Sequence, residues 1–144
     1  MNGMDYLVIP RKLIHSYETV CNPFIKKYRL NQSDFDVIMF LANNPEYNTA
    51  KDICQIRDIK SGIVSVTVER LCQTGLLIRQ ADSSDRRIQR LILTPKSDDI
   101  VDNGRHIQKQ FMDALIEGIT PDEFRIYDEV TRKLTDNAAK IERR

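Results

Sequence analysis

A mainly α fold carrying one small β-hairpin (α+β) is expected for this chain, and three observations lead there. Apolar residues recur at intervals of three and four along most of the sequence, the spacing of one helix face. After Gly75 that period gives way to two β-type runs, Leu76–Leu77–Ile78 and Ile88 to Thr94, on either side of the polar cluster Asp82-Ser83-Ser84-Asp85. Just before them lie two short helical patterns split by a turn near Asp58. From Thr49 to Thr94 the order is therefore helix, turn, helix, strand, tip, strand.

Taken in order, Pro10 suits the first turn of a helix. Leu13, Ile14, Tyr17, Cys21, Phe24, Ile25 and Tyr28 then mark its apolar stripe. Pro23 lies inside that stripe and cannot donate the interior hydrogen bond, so a kink or a restart is expected there. Asn31 or Ser33 can cap a second helix bearing Phe35, Ile38, Leu41 and Ala42, which Asn43-Asn44-Pro45 ends. Tyr47-Asn48 reads as a short strand edge.

Thr49 followed by Asp52 offers an N-cap with an acid in the first turn, and Ile53 and Ile56 form the stripe of that short helix. Ser61 can cap the next helix, on which Val64, Val68 and Leu71 share one face. Gly75 stands where a helix needs a left-handed residue after its C-cap. Pro95 opens a longer pattern, with Ile100, Gly104, Ile107, Phe111 and Leu115 on one face and Gly118 as its stop. Thr120-Pro121-Asp122-Glu123 combines an N-cap, a proline at the first helical position and an acid three residues after the cap. Phe124, Tyr127, Val130, Leu134, Ala138 and Ile141 continue one face of the last helix, and the tail Glu142-Arg143-Arg144 is expected to fray. The terminal helices have more apolar stripe than a small domain can cover, which calls for a two-fold dimer.

Charge is concentrated in the middle of the chain. Seven basic residues between Arg57 and Arg90 (Arg57, Lys60, Arg70, Arg79, Arg86, Arg87, Arg90) stand against four acidic ones (Asp58, Glu69, Asp82, Asp85), a local +3. The whole chain carries only +1. A helix-turn-helix that gathers positive charge, with arginines at a hairpin tip, is the footprint of a duplex DNA reader. In that arrangement the second helix enters the major groove. Wound at about 100° per residue, it turns Gly62, Ile63, Val66, Arg70 and Gln73 away from the core face, with Ser61 and Ser65 at the flanks. That surface lacks side chains for bidentate base contacts, although Ile63 and Val66 can touch thymine methyls, so shape readout carries more of the recognition. Arg86, Arg79, Lys60 and Arg70 are candidate phosphate contacts. For Arg70 and Arg79, ion pairs with Glu69 and Asp82 are an equal alternative.

Other function classes find little support. At 144 residues this is one domain, or one domain with helical arms. The apolar stretch Tyr6 to Ile9 is too short and wrongly flanked for a secretory leader, and no run approaches a membrane span. Cys21, Cys54 and Cys72 are odd in number, form no CxxC pair and lack metal-ligand spacing, so reduced thiols in the cytoplasm are expected. His15 and His106 have no motif around them. No catalytic residue, metal site or cofactor is expected, and the chain reads as a non-enzyme.

The run from Gly62 to Thr94 also resembles the MarR family of transcription regulators. The resemblance rests on Val64, Val68-Glu69-Arg70-Leu71, Gly75-Leu76-Leu77-Ile78-Arg79, Asp82-Ser83-Ser84-Asp85-Arg86-Arg87 and Leu93-Thr94. With the flanking helices it extends over nearly the whole chain. It implies a winged helix-turn-helix at residues 31–96, an N-terminal dimerisation helix at 1–30 and C-terminal dimerisation helices at 97–144. It further implies a homodimer on a pseudo-palindromic operator, a repressor by family habit, and release by a small aromatic effector for which Tyr17, Tyr28 and Phe35 are the candidate lining. Asp85-Arg86-Arg87 matches the family's Asp-x-Arg, which implies that Arg87 enters the minor groove and Asp85 orients it. The chain departs from the family at Val66, often basic there, at Gly62 and Ile63, often small hydroxyl residues, and at Ser97, usually glycine. Two alternatives remain: a winged helix that binds protein, and a thiol-sensing regulator. Cys21 lies nearer the end of the first helix than a sensing thiol does in such relatives, which favours a buried structural cysteine.

Overall fold

The computed structural model describes residues 8–143. Tyr6 and Leu7 of the N-terminal apolar stretch, and Arg144 of the tail, lie outside the described residues. Six helices and one hairpin follow in the order α1 (Val8–Lys27), α2 (Gln32–Asn43), α3 (Ala50–Arg57), α4 (Ser61–Gln73), β1 (Leu77–Ala81), β2 (Gln89–Leu93), α5 (Asp98–Leu115) and α6 (Pro121–Glu142). A single 3₁₀ turn, Pro95–Ser97, leads into α5. The described chain divides into a unit up to Phe111 and a second from Met112 onward.

Local chemistry sets most boundaries. Asn31, Thr49 and Thr120 each close a capping box, with Asp34, Asp52 and Glu123 as the returning acids. Each box satisfies two amides that the first helical turn leaves unpaired. Gly75 adopts φ 77°, the left-handed conformation that stops α4 and releases the chain into β1. The 3₁₀ turn before α5 is fixed by Ser97, fully buried, whose hydroxyl donates to the Thr94 carbonyl at 2.7 Å.

Two expectations need correction. No restart occurs at Pro23; α1 runs through it as one helix. Buried Cys21, Phe24 and Ile25 stand on both sides of the proline, and their packing holds the helix across the lost hydrogen bond. Tyr47-Asn48 forms no strand, although the Leu91 amide donates to the Asn48 carbonyl at 2.7 Å. The last helix ends at Glu142, the first residue of the tail expected to fray.

The core of the first unit gathers around α2, whose Phe35, Val37, Ile38, Met39 and Phe40 are almost wholly buried. Ile53 of α3, Val64 and Leu71 of α4, Leu77 of β1 and Leu91 of β2 join it. Each such side chain stabilises the fold by about 1.5–3 kcal/mol relative to exposure. From α5, Ile100 and Val101 are buried, and Gly104 presses its backbone so close to α2 that a Cβ would lie 2.6 Å from Met39 Sδ and 2.9 Å from Phe35 Cε2. The hairpin is antiparallel, pairing Leu77 with Leu93, Arg79 with Leu91 and Ala81 with Gln89. No residue of α6 is buried.

Candidate nucleic-acid interface

The helix-turn-helix begins at α3, anchored in the core by Ile53, fully buried, while Ile56 is half exposed. The expected two-residue stripe is thus a single anchor, because α3 is only eight residues long and packs chiefly against α4. Asp58 ends α3 in the left-handed conformation, φ 52°. Ser61 is the first helical residue of α4 rather than its cap; the N-cap is Lys60, which makes no side-chain cap bond. The start of α4 therefore keeps outward-facing amides and a positive dipole end, which favours a nearby anion.

Val64, Thr67, Val68 and Leu71 are the buried side of α4 and set its rotation. Ser61, Gly62, Ile63, Ser65 and Val66 are all exposed, as the sequence places them. A groove of about 570 Å³ runs between α3, α4 and the hairpin, with Ser61 and Ser65 on one wall and Lys51, Arg79 and Gln89 around it. Lys51 and Gln89 escaped sequence reasoning. Lys51 sits on the exposed side of α3 outside the counted basic segment, and only the folded hairpin brings Gln89 to the same groove.

At the wing, Asp82 organises the tip. Its carboxylate accepts from the Ser84 hydroxyl at 2.6 Å, the Ser84 and Asp85 amides at 3.1 Å, and Arg90 Nε at 3.0 Å. The Ser84 hydroxyl bond, followed by Arg90 and the two amides, holds this carboxyl well below the usual carboxylate range. Arg90 also donates to Asn48 Oδ1 at 3.2 Å, so the tip end of the hairpin is tied to the segment before α3. Asp85 clasps Arg87 through two side-chain bonds, Nε to Oδ1 at 3.0 Å and Nη2 to Oδ2 at 2.9 Å, and accepts the Arg87 amide as well. The Arg87 bonds lower the Asp85 carboxyl, and Asp85 raises the guanidinium in turn. The Arg87 side chain nevertheless remains 91% exposed. An arginine whose direction is set and whose outer face is open is poised to enter a narrow groove of negative potential.

The other arginines divide. Arg79 pairs with Glu69 at 2.9 Å, the first half of the expected alternative. Arg70 pairs instead with Asp34 at 2.7 Å, and Asp82 takes Arg90 rather than Arg79. Asp34 is nearly buried and also serves the α2 capping box, so Arg70 locks the outer end of α4 to the start of α2. Lys60 and Arg86 are exposed.

The three aromatic residues expected to line one crevice are not brought together. Phe35 is fully buried, edge-on to Phe24 with ring centres 5.3 Å apart. Tyr17 packs against Phe111 and accepts from Gln108 Nε2 at 2.9 Å. Tyr28, which donates to the Asp99 carboxylate, is the one that lines a cavity of about 420 Å³, shared with Arg29, Asp34, Arg70, Lys96 and Ile100. The cysteines are free thiols, and burial pushes the Cys21 thiol up, away from the reactive thiolate. Among the described residues no cluster of His, Cys, Asp or Glu could hold a metal, and no helix is long and apolar enough to cross a membrane.

Residues 30–88 match the sequence model of the MarR family. Solved structures agree in fold along the chain. The transcriptional regulator PA3341 superposes with a TM-score of 0.84 at 19% identity, covering 94% of this chain and 98% of that one. A MarR family regulator from Listeria monocytogenes, solved in complex with a 26mer DNA, gives 0.80 at 18% identity over 97% and 90%. BpsR of Bordetella bronchiseptica, whose DNA binding is regulated by 6-hydroxynicotinic acid, gives 0.71 at 22% identity over 93% and 99%. The family match thus lies on the helix-turn-helix and the first strand and tip of the wing, and the winged-helix fold of these solved regulators extends beyond it in both directions along this chain.

Proposed function

We propose that the chain is a cytoplasmic repressor that binds a pseudo-palindromic duplex operator as a homodimer and is released by a small aromatic effector. The observation that carries the DNA reading is Arg87, clasped by Asp85 with its side chain 91% exposed, on the tip of the hairpin that follows α4. In this reading α4 enters the major groove with Ser61, Gly62, Ser65 and Val66 towards the bases, and Arg87 enters the adjacent minor groove. Lys51, Lys60 and Arg86 meet phosphates. Arg79 joins them from the groove wall, while Arg70, held by Asp34, positions α4. The DNA complex of the Listeria relative supports the same partner.

Residues 31–96 carry DNA binding in this scheme, and 1–30 with 97–144 carry dimerisation. Support comes from apolar exposure: Ile14 of α1 is 57% exposed, and Tyr127, Leu134 and Ile141 of α6 are 57%, 64% and 69% exposed. Isolated helices with such faces are marginal in water, and a second copy covers them by symmetry. Light scattering at micromolar concentration is expected to give twice the 16.8 kDa chain mass; the monomer mass would remove the dimer. For the effector, the cavity beside Tyr28 has Arg29, Arg70 and Lys96 on its wall, a fit for an aromatic carboxylate. The 6-hydroxynicotinic acid response of BpsR supports that class.

The DNA reading is tested by titrating a fluorescent duplex at several salt concentrations. Four phosphate contacts per protomer, doubled in a dimer, predict a log–log slope of about −7. A flat salt response would reject duplex binding and favour a protein partner.

A further inference from the structure

We infer that α4 selects base pairs through the C5-methyl group of thymine, with Ile63 and Val66 as the specificity-determining side chains. This inference rests on the DNA reading above and goes further by naming the chemical group that is read.

From Ser61 to Val68 the helix carries no charged side chain and no side-chain amide. Its exposed N-terminal half consists of two serines, a glycine and two large apolar residues, Ile63 at 47% and Val66 at 61% exposure. The polar groups that begin at Glu69 are committed elsewhere. Glu69 binds Arg79, Arg70 binds Asp34, and Gln73 donates back to Glu69 at 3.3 Å. No guanidinium or amide of the helix is left to make a two-pronged bond to guanine or adenine.

The apolar pair is held where it can be used. Burial of Val64, Thr67 and Val68 fixes the rotation of α4, and Ile63 and Val66, three residues apart, are neighbours on the opposite surface. Both are β-branched and stiff, so little rotamer freedom is lost on contact. Gly62 has open space around it, which lets the backbone approach the groove floor. The surroundings choose the occupant. Lys60 caps the start of this apolar face, and Arg86 and Arg87 stand exposed on the hairpin that follows α4, positive charge that suits a groove walled by phosphates.

On the major-groove edge, thymine alone among the four bases presents a methyl group. A contact made by a hydrocarbon side chain registers that methyl and not the hydrogen-bonding edge beside it. Replacing a contacted thymine with cytosine removes it, and 5-methylcytosine restores it.

The test selects tight-binding duplexes from a random library with the full chain. The best duplex is then resynthesised with deoxyuridine for thymidine, which deletes only the methyl groups. Affinity is expected to fall about fourfold for each contacted methyl, the effect of exposing one methyl-sized apolar group. The Ile63→Ala/Val66→Ala variant, altered only at exposed positions, is expected to bind both duplexes alike. Equal binding of the two duplexes by the parent chain overturns the inference and leaves DNA binding intact. So does an unchanged uridine penalty in the double variant, because that penalty would then reflect duplex shape. Failure to bind any duplex at low salt overturns the DNA reading itself, and this inference with it.

Discussion

Arg87→Ala is expected to weaken binding to a selected operator by about 1–3 kcal/mol per half-site, the range of one good specific contact. The reason is geometric. Asp85 holds the guanidinium through two bonds, so little side-chain entropy remains to be lost when the groove closes around it. The fold should survive, since the side chain is 91% exposed and supports no core. Fluorescence titration against the operator and a random duplex, with circular dichroism as the folding control, measures both. Undiminished operator affinity in a folded variant would remove the wing from recognition and leave α4 to carry it. Acid should loosen the same device from within. Asp82 and Asp85 both have lowered carboxyl pKa values, so the order they impose on the tip is present above the usual carboxylate range and lost as pH falls through their depressed values.

Phe35→Ala is expected to cost about 3–5 kcal/mol of folding stability, read as a shift in the denaturant midpoint. Phe35 is fully buried beneath α5, and the surrounding Phe24 and Met39 cannot collapse into a space of that size. An unchanged midpoint would show that Phe35 is not core. Gly104→Ala probes the same spot from the other side, because its Cβ would lie 2.9 Å from the Phe35 ring. Overpacking of about 1–3 kcal/mol then outweighs the gain of about 1 kcal/mol from replacing glycine in a helix. Phe35→Leu combined with Gly104→Ala should cost less than the two separate losses together, since the smaller side chain yields the space the new methyl needs.

Much of this was legible along the chain. The boxes at Thr49-Asp52 and Thr120-Glu123 and the stop at Gly75 depend on residues within a turn, while the clasp of Arg87 by Asp85 is one the family resemblance implied. Such contacts need only the local backbone, and the residue types that make them are few. The face of α4 was equally readable, because Val64, Val68 and Leu71 at helical spacing leave one way to bury the helix.

The pairing of Arg70 was not. Its neighbour Glu69 offered a carboxylate, yet the guanidinium reaches Asp34, 36 residues away, because packing of α2 against α4 places a nearly buried acid at that end. The same holds for the aromatic residues. Periodicity puts Tyr17, Tyr28 and Phe35 on inward faces alike, and only the approach of α5 at Gly104 seals Phe35 into the core while Tyr28 borders a cavity. Sequence determines which side of each helix is apolar and where each helix starts and stops, since those depend on neighbours within a turn. Which partner a side chain finds across helices follows from their relative rotation and distance, and the packed core alone sets both.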